Sequence, residues 1–174
     1  MPCAIIKPML NNTGRLSDMM RLGLTVGSFV VIFDHLSKWF IRDIVLDGAW
    51  HIKVFSFFNL VEVWNRGVSF GLFASDSPWT PVLLSALAIG ISTVLLIWLH
   101  KAKTFLLSIG LGIVIGGAVG NVIDRILWGS VFDFLDFHIA GYHWPAFNIA
   151  DSAITIGVGL ILIDGFIAKT PKDS

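Results

Sequence analysis

The chain has 174 residues, of which 55% are hydrophobic and only 14% are charged, and its mean hydropathy is +0.81. Because an ordinary soluble domain carries about 25% charged residues, this composition predicts an integral membrane protein with little chain left for a separate soluble domain. The formal net charge is zero and the basic residues are scattered, which excludes electrostatic capture of nucleic acid as a function.

Residues 1–20 combine two basic residues with prolines, asparagines and a glycine, and contain no apolar run that leads to a cleavage site. Such a segment is typical of a flexible leader rather than of a signal peptide. The single cysteine, Cys3, lies within it and cannot form an internal disulfide. We expect a flexible leader over 1–20, one membrane domain over 21–168 and a tail over 169–174.

The first predicted span, residues 22–41, is apolar except for Asp34 and for Lys38 one helical turn later. A charged residue at the centre of a spanning helix costs about 2.5 to 3.5 kcal/mol on the scale from insertion experiments. An ion pair at i,i+4 spacing offsets part of this cost. We therefore expect Asp34 and Lys38 to form a structural pair that ties this span to its neighbours.

Residues 50–73 are rich in β-branched and aromatic side chains, and apolar and polar positions alternate within 60–64. This pattern predicts a short strand or hairpin. Its tryptophans and phenylalanines suit the membrane interface, where amphipathic rings prefer to lie. The segment is therefore predicted to rest on the outer surface of the membrane.

The two clearest spans, residues 81–99 and 104–123, are uncharged over about the 20 residues that cross the hydrocarbon core. The link between them allows only a tight hairpin, so the two helices must be antiparallel neighbours. Gly112, Gly116 and Gly120 mark one face of the second of these spans. Small residues at this spacing permit close helix packing. We expect packing within the bundle and a monomeric chain, with homodimerisation as the alternative.

The last part of the chain contains an interfacial segment and a fourth span. Residues 129–147 mix aromatic with acidic and histidine side chains, which predicts a segment that grazes the interface. Residues 149–163 are apolar apart from Asp151 near their start. The predicted fold is therefore an integral membrane all-α protein, with four transmembrane helices and a small β-rich outer-surface segment between spans one and two.

Orientation follows from lysine and arginine, which are enriched in short cytoplasmic flanks. These residues are denser in the leader, the short hairpin and the tail than in the two long loops. We therefore expect both termini in the cytoplasm. Asp34, Asp124 and Asp151 then lie together in the outer half of the membrane.

Asp133 and Asp151 stand in apolar and aromatic surroundings at the same predicted depth. If they meet, repulsion and desolvation raise the pKa of one carboxyl, and the pair shares a proton near neutral pH. This is the arrangement that aspartic proteases use to activate water. The alternative is that both acids merely cap helix ends.

The sequence also has to be compared with functions other than an aspartate pair. No His-x-x-x-His or Cys-x-x-Cys spacing occurs, so we expect neither a metal nor another cofactor. Ser152 follows Asp151, but no histidine is placed by the sequence to activate it. A transporter with a proton relay predicts acids spread along the span axis rather than gathered at one face. A non-catalytic subunit would need a partner.

Five ordered motifs resemble those of lipoprotein signal peptidases, also called signal peptidase II, and extend from span one to span four. They read DHLSK at 34–38, NRGVSF at 65–70, GGAVGNVIDR at 116–125, VFDF at 131–134 and FNIADS at 147–152. The resemblance implies a four-helix aspartyl endopeptidase of the bacterial inner membrane with its active site toward the periplasm. Such an enzyme acts among membrane lipids and cuts prolipoproteins immediately before the diacylglyceryl-modified cysteine.

By the same residue matching, Asp133 and Asp151 are the implied catalytic pair. The implied substrate-binding residues are Asn65, Asn121, Arg125 and Asn148, and the implied supporting residues are Asp34, Lys38 and Asp124.

Asp136 and His35 lie in or near these motifs but differ from the family pattern. Asp136 also precedes a phenylalanine, but the nine-residue step from Asp124 favours Asp133 as the motif aspartate. His35 departs from the pattern, which has glutamine at this place in the first motif. The departure affects the local hydrogen bonding of that motif and not the catalytic pair.

Overall fold

The structure is a computed structural model that describes residues 12–67, 77 and 79–169. Its helices are α1 (Asn12–Phe40), continued by a π-helical segment (Ile41–Leu46), α2 (Trp79–His100), α3 (Phe105–Trp128) and α4 (Ile149–Lys169). Its strands are β1 (His51–Phe55), β2 (Phe58–Asn65), β3 (Val131–Ile139) and β4 (Tyr142–His143).

Four of the described helical stretches are long and apolar enough to cross a membrane, which confirms the four predicted spans. Helix α3 runs beyond its predicted end and places Asp124 and Arg125 in its last two turns. It stops at Gly129, whose φ of 70° lies in the left-handed region and whose backbone N–H donates to the Arg125 carbonyl. A side-chain hydroxyl at Thr104 caps its other end by accepting from the Leu107 backbone N–H.

Helix α1 begins at Asn12, so residues 12–20 of the predicted leader are helical, and residues 1–11 lie outside the described part of the chain. Packing of Met19 and Met20 favours the longer helix. Met19 is buried, and Met20 packs against the cluster formed by Leu99, Ala102, Leu111 and Ile115.

Helix α3 is the central helix and packs against α1, α2 and α4. Its glycine face lies directly on α1. A Cβ built on Gly116 would come within 2.5 Å of the Gly27 carbonyl oxygen, and one on Gly112 would overlap the Gly23 carbonyl. The glycine spacing therefore serves packing inside the bundle, as predicted.

One antiparallel sheet, in the order β1-β2-β3-β4, lies at the end of the bundle. The predicted hairpin within 50–73 is confirmed as β1 and β2, and residues 68–73 lie outside the described residues. Residues 129–147 were expected only to graze the interface, and they instead supply β3 and β4. The strand forms because Phe132 and Phe134 pack on one face with Leu46, while Asp133 projects from the other.

Candidate active site

Asp133 lies on β3, opposite Val63 of β2, and only 1% of the residue is exposed. Both carboxylate oxygens accept hydrogen bonds from side-chain amides. The Nδ2 of Asn148 is 2.7 Å from Oδ1, and the Nδ2 of Asn65 is 3.0 Å from Oδ2. The carboxyl group is therefore fixed in orientation within a largely dry site.

Asp151 lies in the first turn of α4, and its partner Asn148 precedes the helix as the N-cap. The Asp151 backbone N–H donates to Asn148 Oδ1 at 3.0 Å, and the Asn148 backbone N–H donates to Asp151 Oδ2 at 3.4 Å. This reciprocal pair is a capping box. The other oxygen, Oδ1, accepts from Asn121 Nδ2 at 2.8 Å. Asp151 therefore caps α4 and still presents its carboxylate beside Asn121.

Asn148 joins the two aspartates and is fully buried. Its Nδ2, besides contacting Asp133, lies 3.3 Å from Asn121 Oδ1 and 3.3 Å from the Phe132 carbonyl oxygen. Because the same side chain also caps the helix that carries Asp151, one asparagine fixes both carboxyl groups relative to each other. The two acids singled out by the sequence thus belong to one hydrogen-bonded network.

Burial is the main cause that raises the pKa of Asp133 from its ordinary value of 3.8 to about 7, and the negative charge of Asp151 is the second. The amide hydrogen bonds from Asn65 and Asn148 and the positive charge of Lys38 lower this pKa, but they do not outweigh the first two causes. A carboxyl group with this pKa holds a proton for a large share of the time near neutral pH.

A buried ionic cluster lies next to the aspartates, between α1 and α3. The Lys38 ammonium is 2.7 Å from Asp34 Oδ2 and 2.8 Å from Asp124 Oδ2, so the expected pair with Asp34 is present and has a third member. Asp34 Oδ1 accepts from the Ala150 backbone N–H at 2.9 Å, and Asp124 Oδ2 accepts from the Phe132 backbone N–H at 3.2 Å. The cluster therefore holds the backbone immediately before Asp151 and Asp133.

Arg125 links the last turns of α3 to the residues that follow β2. Its guanidinium donates to the Asn121 carbonyl at 3.2 Å and to the Gly67 carbonyl at 3.0 Å. Its positive charge interacts with Asp151, Asp133 and Asp124. It is thus a fixed cation beside both aspartates.

A cavity of about 290 Å³ opens from this network into the bundle. Polar side chains form one end of it and apolar side chains form the walls. Its lining consists of Asn65, Asn121, Arg125 and Asp151 together with Leu84, Leu87, Ala88, Ile91, Val114, Ala118, Val131 and Ile154. An apolar segment can therefore lie against α2, α3 and α4 while its polar end reaches Asp151, the one of the two aspartates that lines the cavity.

Asp136, the second aspartate of β3, is engaged elsewhere. It accepts from Asn59 Nδ2 at 2.7 Å and lies 2.8 Å from His143 Nδ1. Burial raises its pKa, but the hydrogen bonds from Asn59 and His143 outweigh that effect and hold the pKa below the usual range. This carboxyl is an ionised structural group of the sheet.

The structure brings all nine residues of the sequence-derived site into linked contacts. These are Asp133, Asp151, Asn65, Asn121, Asp124, Arg125, Asn148, Asp34 and Lys38. Sequence reasoning missed the backbone N–H groups of Phe132 and Ala150, for which a sequence has no signal. It also missed the cavity wall from α2, because that helix is apolar on every side. Among the described residues, no group of three or more His, Cys, Asp or Glu side chains is arranged to hold a metal.

Comparisons with known proteins agree on one family. The model of the family described as signal peptidase (SPase) II matches residues 26–167. A lipoprotein signal peptidase of Burkholderia vietnamiensis (strain G4 / LMG 22486) is 47% identical over 142 residues, which cover 81% of this chain and 85% of that protein. The Burkholderia multivorans protein of the same name is 46% identical over the same shares.

Two solved structures also resemble this chain. One is a bacterial membrane enzyme determined by the in meso method at 2.3 Å resolution, with a TM-score of 0.74 and 32% identity over 87% of this chain and 93% of that one. The other is a bacterial membrane enzyme determined by the same method at 1.9 Å resolution. It has a TM-score of 0.70 and 32% identity over 87% of this chain and 94% of that one.

Proposed function

The chain belongs to the signal peptidase II family, and from that premise we propose that it removes the signal peptide from prolipoproteins. It is an aspartic-type peptidase with helices long and apolar enough to span a membrane. In the proposed reaction the cut falls immediately before the diacylglyceryl-modified cysteine, and Asp133 and Asp151 together activate the attacking water.

One observation supports the proposed carboxyl pair. Asn148 is hydrogen-bonded to both aspartates, and the pKa of Asp133 is raised to about 7. Two acids held by one side chain in a buried site cannot both ionise without a large electrostatic cost. The pair therefore shares one proton near neutral pH. Asp133 is the better proton carrier because it is the more deeply buried of the two.

The proposed reaction needs one ionised and one protonated aspartate, and each exchanges a proton with the substrate or water and then recovers its first state. Ionised Asp151 takes a proton from water as the water oxygen bonds to the scissile carbonyl carbon, and neutral Asp133 gives its proton to the carbonyl oxygen. The resulting gem-diol collapses when Asp151 returns its proton to the leaving nitrogen and the C–N bond breaks. Asp133 recovers its proton from a diol hydroxyl, which completes the cycle with no other proton source.

The polar end of the cavity suits the extended backbone of a substrate. Asn65, Asn121 and Arg125 line it beside Asp151, and side-chain amides and a guanidinium are donors for peptide carbonyls. Fixed donors of this kind align the scissile bond before reaction and limit the entropy lost at the transition state. We assign these residues, with Asn148, to holding the substrate, and Asp34, Lys38 and Asp124 to supporting the pair.

The apolar walls of the cavity suit the signal segment or the acyl chains of the same substrate. They come from α2, α3 and α4 and are contributed by residues such as Leu87, Val114 and Ile154. A substrate whose cleavage site joins an apolar helix to a lipid-bearing cysteine needs both ends of this cavity. This match favours prolipoproteins over soluble peptides as substrates.

The proposed location is the bacterial inner membrane, with both termini in the cytoplasm and the aspartates toward the periplasm. Lys101 and Lys103 lie in the turn between α2 and α3, and Arg21 lies near the start of α1, at the ends of the spans away from Asp151. Lysine and arginine concentrated in short loops favour the cytoplasmic side.

Cleavage by the purified full chain tests the proposed function. It should cleave a diacylglyceryl-modified prolipoprotein in detergent or lipid, and mass spectrometry should place the new N-terminus at the modified cysteine. Asp133→Asn and Asp151→Asn should each lower kcat by at least about a thousandfold, since groups that act as a unit lose most activity when either is removed.

Asp136→Asn provides the matched control, because this aspartate is also buried on β3 but bonds to Asn59 and His143. It should retain cleavage within a few-fold of wild type. Thermal unfolding should show that the two site variants remain folded. A wild-type rate in either site variant would refute the carboxyl pair, and absence of cleavage by the wild-type chain would refute the function.

A further inference from the structure

The buried cluster beneath the aspartates has an unbalanced charge. Asp34, Lys38 and Asp124 are at most 6% exposed, and two carboxylates share one ammonium. An uncompensated negative charge in a buried site is strongly unfavourable. The cluster therefore needs one more positive charge or one more proton.

His35 lies where its imidazolium would supply this positive charge. Its Nδ1 lies 3.2 Å from the Val31 carbonyl oxygen and 3.8 Å from Asp34 Oδ2, and its Nε2 lies 3.8 Å from Asp124 Oδ1. The Nε2 atom is buried and has no hydrogen-bond partner among the described residues. Every polar group near the ring is thus an acceptor.

A neutral imidazole fits this environment only if a carboxyl of the cluster carries the extra proton. It carries one N–H and one lone pair, so one ring nitrogen would direct a lone pair at a carbonyl or carboxylate oxygen. Only the doubly protonated ring offers a donor at both nitrogens. The His35 side chain is 33% exposed, so the ring is not fully enclosed by the bundle.

The other charged groups near the cluster have partners of their own. The Arg42 guanidinium, from the π-helical segment, donates to Asp43, although its charge also interacts with Asp124. Arg125 on α3 donates to two backbone carbonyls on the side of Asp133 and Asp151. Helix α4 and β3 contribute the backbone N–H groups of Ala150 and Phe132, next to those two aspartates.

The cluster controls where the aspartates lie. Asp124 Oδ2 accepts from the Phe132 N–H, one residue before Asp133, and this same carboxylate faces His35. A change in the charge balance at Asp124 is therefore transmitted by one hydrogen bond to the strand that carries the proton donor. A displacement on the order of 1 Å at a reacting group can lower the rate by about a hundredfold.

From these contacts we propose that His35 is a positioning residue whose imidazolium is the second cation of the Asp34–Lys38–Asp124 cluster. It holds Asp124 and, through Phe132, the segment that carries Asp133. The kinetic part of this inference rests on the proposed function, and the protonation of His35 does not.

The first test is NMR spectroscopy of the full chain, labelled with ¹⁵N-histidine, in detergent or nanodiscs. Comparison with His35→Gln assigns the His35 signals among those of the five histidines. At pH 7 both ring nitrogens should show imidazolium shifts. A neutral ring whose Nε2 accepts a hydrogen bond would mean that the proton lies on Asp124, and would overturn the proposal even if the chain cleaves prolipoproteins.

The second test compares kcat with His35→Arg, which keeps a cation, and with His35→Gln, which does not. At pH 7 the kcat of His35→Arg should stay within a few-fold of wild type, whereas that of His35→Gln should be about tenfold lower, both with unchanged KM.

Equal kcat values for His35→Arg and His35→Gln would overturn the positioning role. If His35→Gln does not fold, as judged by thermal unfolding, the kcat of His35→Arg decides alone, and a loss of about tenfold or more would overturn the role. A wild-type chain that leaves prolipoproteins uncut would refute the proposed function, and the NMR spectrum alone would then decide whether His35 is the second cation.

Discussion

Asn148 and Asp151 cap the same helix end for each other: the Asp151 N–H donates to Asn148 Oδ1 at 3.0 Å, and the Asn148 N–H donates to Asp151 Oδ2 at 3.4 Å. Capping and catalysis were alternative interpretations of Asp151 from the sequence. The geometry makes them compatible, because the cap holds one carboxylate oxygen while the other contacts Asn121.

This relationship predicts the effect of Asn148→Ala. The variant should lose the cap, at a cost of about 1 to 2 kcal/mol in the free energy of unfolding. It should also lower kcat by about a hundredfold or more, because Asp133 loses its 2.7 Å hydrogen bond and both carboxyls lose a common support. Unfolding in detergent and prolipoprotein cleavage measure the two effects.

Thr104→Ala is the matched control, because Thr104 caps α3 through the Leu107 N–H at the opposite end of the bundle. We expect a similar loss of stability and a kcat within a few-fold of wild type. If Asn148→Ala loses no more activity than Thr104→Ala, Asn148 has only a capping role.

Lys38→Met should destabilise the protein by about 3 to 5 kcal/mol, the usual cost of removing one partner from a buried ion pair. The reason is that Asp34 and Asp124 lose the ammonium that lies within 2.8 Å of both. Adding Asp34→Asn should recover part of this loss, since it removes one of the two carboxylates that share the ammonium. The free energy of unfolding in mild detergent is the measurement.

Lys53→Met controls for loss of a lysine charge, because Lys53 is exposed on β1. Its free energy of unfolding should stay within about 0.5 kcal/mol of wild type, as for most surface substitutions. Equal effects of the two substitutions would show that the cluster contributes nothing particular to stability.

The four spans were predictable because hydropathy over 20 residues is a local property of the sequence. Strand β3 was not, because Phe132, Asp133 and Phe134 are all buried, so no alternation of exposed and buried residues marks a strand. Its pairing of Asp133 with Val63 also joins distant parts of the chain. Local patterns do not encode such contacts.

The side-chain groups of the candidate site could be predicted from the sequence, whereas its backbone groups could not. Motifs singled out Asp133 and Asp151, and the i,i+4 spacing of Asp34 and Lys38 predicted their ion pair. The third member, Asp124, comes from another helix, so only the tertiary structure shows how it joins the cluster. The same holds for the backbone N–H groups that this cluster binds.

Gly116→Ala should lower the free energy of unfolding by about 1 to 3 kcal/mol, as expected for overpacking. The added Cβ would lie 2.5 Å from the Gly27 carbonyl oxygen, and backbone cannot yield without moving α1 away from α3. Thermal unfolding in one detergent measures the change.

Gly90→Ala on α2 is the matched control, since nothing lies within 4 Å of its added Cβ. Alanine is the better helix former, so this variant should be unchanged or more stable by up to about 1 kcal/mol. A Gly116→Ala variant as stable as Gly90→Ala would contradict the close α1–α3 contact.

The protonation of Asp133 predicts that stability and activity both fall as pH rises through about 7. Its pKa is about 7 in the native protein and 3.8 is the ordinary value, so between these values the native protein binds more protons than the unfolded chain. The stabilisation from this group is therefore complete below about pH 3.8 and is lost as pH rises through 7. Activity should also fall above about pH 7, because the pair then loses its shared proton.

Asp133→Asn separates this effect from other titrations, because the amide does not ionise. The difference in free energy of unfolding between this variant and wild type should grow in favour of the variant between about pH 4 and pH 7, by about 1.4 kcal/mol for each step of one in pH. A flat difference over this range would mean that Asp133 is ionised throughout, and Asp151 would then have to carry the proton.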